Sequence, residues 1–468
     1  MADFQLRKCA KSEQTHEEDR ISLLPTEILL YILSFLKLKE VARASLVSKR
    51  WMGFWMFAVQ LDFDASKVLK QLSALDDNNV LREKRRWYVE WVNKVLQSHK
   101  AMVIDEFRIC FELDKSSQDD IDKWLRYAFS RRVQTLELNF LMHGHPEFLI
   151  FKPYLFPSCR ILDQSCEKSS AESPSADLDN GICTLPLTDF KSLKSLTLAG
   201  VDITEKTLNF LINNFHCLER LTVSGSHSRD LTSVAVCRSS LKYLELTYCH
   251  YLKSIIVRDT CLASLKISWV CDLVLENVPM LVNVWVSRWM IRQVIPLLSS
   301  LLSRLEVLTL LLFNLENKEE RGFHEVPQLT GLKQLILTVG AYKDDSLIRI
   351  TSSFVQASPN LEKFVLELHW HGVRRTERKI EKVSSPPLQR LKVVEILGYF
   401  GRKADDELVM YFLENGTALE RIILDPRSPE IMYRKRIKKP KAEKMARIHA
   451  GALFKELMIP SFVELVIL

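Results

Sequence analysis

The sequence predicts an α/β fold in three parts: a small head of three helices, a long array of strand-and-return units forming a horseshoe arc, and a C-terminal module capping that array. Three observations predict it. Within Ile21 to Phe57 lies a helix that is apolar nearly all round. From Ile104 onward the spacing apolar-x-x-apolar-x-apolar recurs with a drifting period of about 25 residues. From about Ser384 the pattern becomes strand, helix, strand, basic loop, helix and final strand.

Residues 1–19 are polar, lack a signal-peptide core and are expected to be disordered. Pro25 then sits where a helix can start, because a first-turn residue needs no N–H partner. Ile28, Leu29, Ile32, Leu33 and Leu36 fall on one face at helical spacing, while Leu30, Tyr31 and Phe35 occupy the other. A helix apolar on both faces needs cover on both. A segment of about forty residues rarely supplies that cover alone. A second helix is expected from Lys39 to Val47 and a third from Ser48 through Trp51 and Trp55. The trio leaves apolar surface for a partner.

These residues carry a resemblance. Leu24-Pro25 with Glu27-Ile28, then Ile32-Leu33-Ser34-Phe35-Leu36, then Ser45-Leu46-Val47-Ser48-Lys49-Arg50-Trp51 resembles an F-box over residues 20–60. Lys37 departs from it, since relatives often carry Pro there. The resemblance implies docking on a Skp-type adaptor, which bridges to a cullin–RING ubiquitin ligase. Carried onto this sequence, the adaptor-binding set is Leu24, Pro25, Ile28, Leu29, Ile32, Leu33, Leu36, Val47 and Trp51.

Residues 61–103 read as a helical connector. After Val80, Leu81, Trp87, Val89, Trp91, Val92, Val95 and Leu96 lie among basic residues, which predicts a helix joining the head to the array.

The array, residues 104–383, begins with Ile104-Phe107-Ile109 and Val133-Leu136-Leu138. It resumes at Leu193-Leu196-Leu198 and continues to Leu388-Leu391-Val393 and Leu419-Ile422-Leu424. This is the signature of leucine-rich repeats: each unit supplies one short parallel strand, and stacking buries leucines that a single unit cannot. Long units should return by helices, over Gln118–Ser130, Thr204–Asn214, Ile291–Ser303, Ser346–Ala357 and Asp405–Glu414. Asn415-Gly416 is a good stop for the last, and Pro296 should bend the helix that contains it. The short units between Leu241 and Val286 have no room for helices. There Leu252-Ile255-Val257 and Leu273-Leu275 predict strands on the far side instead. Between about 158 and 183 the pattern fails in a Ser-, Asp- and Glu-rich stretch, read as a disordered insert.

From about 384 to 468 the chain resembles the FBD module that follows F-box and leucine-rich segments in many plant proteins. The resemblance rests on Leu391–Ile396, Glu407-Leu408-Val409, Phe412–Asn415, Leu419-Glu420 and Val463–Leu468. A helix is expected there from about Ala442 to Leu457. The whole thus resembles the plant F-box, leucine-rich-repeat and FBD family.

Composition narrows the function. Thirteen glycines form no phosphate loop, and no Walker, dinucleotide or Gly-x-Ser-x-Gly motif occurs. The ten cysteines include no C-x-x-C pair and read as reduced, small hydrophobes. His143-Gly144-His145 and His369-Trp370-His371 lack further ligands at metal spacing, so neither metal nor cofactor is expected. No apolar run approaches a membrane span. The net charge of +7 is concentrated in Arg434–Lys441, read as a solvated loop or a nuclear-import signal, and nucleic acid is not the favoured partner. Together these features place the chain in the nucleus and/or cytoplasm and argue against an enzyme acting through its own residues, while the resemblance implies a non-catalytic subunit that recruits a protein target. The rival reading is a repeat scaffold that never joins a ligase.

By strand alternation, the residue between the last two apolar positions of each unit faces the concave side. In chain order these are Arg108, Glu137, Thr197, Thr222, Glu245, Lys266, Trp285, Thr309, Ile336, Val365, Lys392 and Ile423. Trp285, Ile336, Val365 and Ile423 are apolar where water should be, and they form the candidate target-binding patch.

Overall fold

The computed structural model describes residues 24–46, 50–51, 53–67, 78–141, 153–157, 192–237, 239–268, 272–288, 304–312, 326–341, 347–370, 379–380, 382–383, 385–427, 440–457 and 462–468. The N-terminal tail, Val47, the insert at 158–183, the helix expected at Ile291–Ser303, His143, His145, His371 and residues 434–439 of the basic run lie outside these.

The head begins with α1 (Thr26–Ser34), preceded by Pro25, and α2 (Leu38–Ala44). Their boundary falls at Lys37, whose backbone N–H donates to the Glu40 carboxylate at 3.0 Å. The expected third helix differs from what forms. Among the described residues that segment holds only a 3-10 turn, Phe54–Phe57, entered through Gly53 at φ 94. A positive φ interrupts a right-handed helix and favours Gly.

The strand array starts earlier than the repeat pattern suggests. Strand β1 (Gln60–Asp64) straddles the expected boundary between the F-box and the connector and pairs in parallel with β2 (Glu106–Cys110). The helix between them, α3 (Asn78–Ser98), is therefore a return within the array rather than a link to it. Next come α4 (Gln118–Ser130), β3 (Thr135–Asn139), β4 (Ser195–Ala199), α5 (Glu205–Asn214) and β5 (Arg220–Ser224). The Thr204 hydroxyl caps α5 by accepting from Thr207 N–H at 3.2 Å.

The short units follow as β6 (Ser233–Cys237), β7 (Tyr243–Thr247), β8 (Ser254–Arg258), β9 (Ser264–Ser268) and β10 (Asp272–Glu276). Then come β11 (Asn283–Arg288), β12 (Val307–Leu312), β13 (Gln334–Ala341), α6 (Leu347–Gln356) and β14 (Lys363–Trp370). The chain closes with β15 (Val393–Leu397), α7 (Lys403–Asn415), β16 (Arg421–Asp425), α8 (Pro440–Glu456) and β17 (Glu464–Ile467).

Fourteen of the described strands form one parallel sheet, in the order β1-β2-β3-β4-β5-β7-β9-β11-β12-β13-β14-β15-β16-β17. The short units return through a second sheet, β10-β8-β6, so the expected far-side strands are present together with β6. Their tight turns use Asp259 and Asn277 at positive φ, and Asn277 Nδ2 donates to Asp259 Oδ1 at 2.7 Å. Asx side chains tolerate that conformation.

Alternation explains the sheet's two faces. In β4, Leu196 and Leu198 point into the core while Thr197 is half-buried on the open face. Each inward Leu contributes about 2 kcal/mol of burial, provided a neighbouring unit covers it. One continuous core runs from Leu38 to Val463. The register differs from expectation at one unit. Val394 and Ile396 point inward and Val393 does not, so the unit is Leu391-Val394-Ile396. Glu395, not Lys392, occupies the open face there, paired with Val365 on one side and Ile423 on the other.

Candidate interaction surfaces

Two surfaces stand out, one on the head and one on the sheet. Along α1 and its C-cap residue Phe35, Ile28, Tyr31, Ile32 and Phe35 recur at helical spacing and are 45%, 65%, 39% and 66% exposed. Leu29 and Leu33 lie on the other side and are buried. The face read from the sequence thus splits. Ile28 and Ile32 stay available, whereas Leu29 and Leu33 are already spent on the head's own packing and cannot contact a partner directly. Pro25 is exposed, and Leu24, Leu36 and Trp51 are half-buried. Sequence reasoning left Tyr31, Phe35 and the exposed Leu46 out of the set, although the all-round apolar pattern of α1 was the signal for the first two.

The head is tied to the sheet at β1. Leu38 of α2 joins the continuous core. Lys39 donates to the Asp64 carbonyl, and Lys37 Nζ lies 3.5 Å from Asp62 Oδ2. Arg108 on β2 gathers three carboxylates: Asp64 at 2.9 Å, Glu137 at 2.9 Å and Asp62 at 3.2 Å. Burial opposes ionisation of Asp64, but hydrogen bonds from Ser66 and the Arg108 guanidinium outweigh it and hold its carboxyl at about 2. Burial likewise opposes the Arg108 charge, yet Glu137 and Asp64 raise its pKa above the ordinary value.

A second tie is His99. Its Nε2 lies 2.8 Å from the Ala58 carbonyl and its Nδ1 lies 2.6 Å from Tyr127 Oη. A carbonyl only accepts, so Nε2 carries the proton and Nδ1 accepts from the tyrosine. That is the neutral imidazole. Burial lowers its pKa, and nearby Arg131 adds to the effect against the bond to Ala58.

On the open face of the sheet, strand pairing lines up one residue per strand. Asp62, Arg108 and Glu137 begin the row, and Glu245, Lys266, Trp285, Thr309, Ile336, Val365, Glu395, Ile423 and Val466 end it. Trp285, Ile336 and Ile423 are half-buried and reachable. Val365 is 6% exposed, so it cannot serve as a contact of its own. It is a short side chain between Ile336 and Glu395, whose longer side chains flank it. Glu395 also separates Ile423 from the rest, so the apolar patch narrows to Trp285 and Ile336 around Thr309. Among the described residues, no group of three or more His, Cys, Asp or Glu side chains is placed to hold a metal ion. No helix among them is long and apolar enough to cross a membrane.

Comparison with known proteins agrees with this layout. Residues 21–54 match an F-box-like family model, and residues 95–456 match a model described as At1g61320/AtMIF1, LRR domain. FBD-associated F-box protein At4g10400 of Arabidopsis thaliana is 25% identical over 418 residues, covering 86% of this chain and 91% of that protein. F-box/FBD/LRR-repeat protein At4g26340 of the same plant is 26% identical over 435 residues, covering 88% and 94%. A third, F-box/FBD/LRR-repeat protein At4g00160, is 30% identical over 244 residues, covering 48% and 51%. An F-box head joined to a leucine-rich parallel sheet defines a protein-interaction class. Within it, the chain belongs to the F-box, leucine-rich-repeat and FBD family of plant proteins.

Proposed function

We propose that the chain is the substrate-recognition subunit of an SCF-type cullin–RING ubiquitin ligase. The observation that carries this is the exposed apolar stripe on α1, which lies within the segment matching the F-box-like model. Apolar surface of that kind marks an interface. In this reading the head is an F-box that docks on a Skp-type adaptor through Pro25, Ile28, Tyr31, Ile32 and Phe35, with Leu24, Leu36 and Trp51 at its border. The adaptor carries the link to the cullin. The sheet is a solenoid bent into a horseshoe arc, and residues 384–468 form its FBD-like cap.

The open face around Trp285 and Ile336 holds a target protein. The chain contributes proximity rather than chemistry. Holding a target lysine near the ubiquitin-charged enzyme raises its effective concentration, and the transfer takes place on other subunits. The site of action is the nucleus and/or cytoplasm. Co-expression with a Skp-type adaptor and a cullin tests the assembly. One complex on size exclusion supports it, and a chain that elutes alone is a scaffold outside the ligase.

A further inference from the structure

We infer that the open face recognises an extended segment of its target carrying an acidic side chain and a bulky aliphatic one about four residues apart. The inference rests on the reading of this face as the target surface and adds the chemistry of the target. It starts from Lys266. Its ammonium lies 2.9 Å from Glu245 Oε1 and 5.2 Å from the centre of the Trp285 ring. Glu245 is buried, and its other oxygen accepts from Tyr243 Oη at 2.6 Å. Thr247 Oγ1 also donates to Glu245 Oε1, at 3.4 Å.

The carboxylate is thus engaged on both oxygens, whereas an ammonium has three N–H groups and Glu245 takes one. The unused capacity of Lys266, whose side chain is partly exposed, is that of a cationic donor, so the complementary group is a carboxylate. The neighbouring strands offer the opposite chemistry. Trp285, Thr309 and Ile336 stand side by side on β11, β12 and β13, and all three are half-buried. Lys266 and Ile336 are three strands apart, roughly 14 Å at ordinary strand spacing, which an extended chain spans in about four residues. A nucleic acid fits less well, because an apolar row follows the single cation.

The test uses the full chain purified with a co-expressed Skp-type adaptor. Short fluorescent peptides in a Gly-Ser background each carry one Glu and one Leu at varied separation. Fluorescence polarisation should peak at a separation of about four residues. Lys266→Met should weaken the best peptide about tenfold, and Lys266→Glu should switch the preference from Glu to Lys. Should Lys266→Glu misfold, as thermal melting would reveal, Lys266→Met keeps the apolar stem and carries the test. No dependence on separation, wild-type binding by Lys266→Met, or displacement of the peptide by a single-stranded oligonucleotide at lower concentration would each overturn the inference. Adaptor retention is read from the same preparation. Lost adaptor with intact peptide selection defeats the ligase reading, and retained adaptor without selection defeats this one.

Discussion

Tyr31 on α1 and Phe35 at its C-cap meet edge to face, with ring centroids 5.1 Å apart and 84° between their planes, and both rings face water. One turn of the same helix buries Leu29 and Leu33 on its other side. The two faces should therefore answer differently to truncation. Phe35→Ala should change stability by less than about 0.5 kcal/mol. Leu29→Ala should destabilise the head by about 2–4 kcal/mol, because it leaves a cavity. Denaturant titration of each variant separates them, and equal losses would mean that the faces are misassigned.

Arg108 should matter more than its position on an open sheet face suggests. Arg108→Met strands Asp62, Asp64 and Glu137 together near the junction with α2, at a cost of about 3 kcal/mol near neutral pH. The pH dependence has a definite sign. The folded Asp64 carboxyl sits at about 2, below its ordinary value of 3.8, so its contribution is present above 3.8 and is lost as pH falls toward 2. The gap between variant and wild type should narrow over that window. A gap independent of pH would remove the ionic explanation.

His99 should make the junction between head and sheet sensitive to mild acid. Its neutral form fits both partners, and its pKa in the folded chain lies below the ordinary value of 6.5. In that range the unfolded chain binds the extra proton, so stability falls as pH drops through 6.5. His99→Gln should flatten this loss in thermal melts between pH 7.5 and 5. An unchanged slope would place the acid sensitivity elsewhere.

Gly416 ends α7 at a tight approach rather than by a left-handed turn. A Cβ there would stand 2.7 Å from the Phe412 carbonyl oxygen and 3.1 Å from Leu419 Cβ. Gly416→Ala should cost about 1–3 kcal/mol through overpacking, measured by denaturant titration of the full chain. A neutral result would show that the helix end relaxes freely.

Much of the sheet was legible because the leucine spacing is written into the chain once per unit. The misses have physical causes. Strand β1 was hidden because Ala58 stands where other units carry a large apolar residue, ahead of Leu61 and Phe63. The unit at Leu391 was displaced because Leu388-Leu391-Val393 satisfies the same spacing, and only packing selects Val394 and Ile396. The head was the least legible part. A helix apolar all round does not reveal which face its own fold consumes, so Leu29 and Leu33 were grouped with Ile28 and Ile32. Arg108 was visible as a charged residue facing outward. Its carboxylate neighbours Asp62 and Asp64 come from a strand that the pattern did not show.

The most direct measurement is the affinity of the full chain for a purified Skp-type adaptor, wild type against Ile32→Asp with Phe35→Asp. Both residues are exposed, so the double variant should melt within about 0.5 kcal/mol of wild type. F-box docking through α1 predicts a loss of at least about 2 kcal/mol in binding, measured by titration calorimetry. Wild-type affinity in a folded double variant would contradict docking through this face.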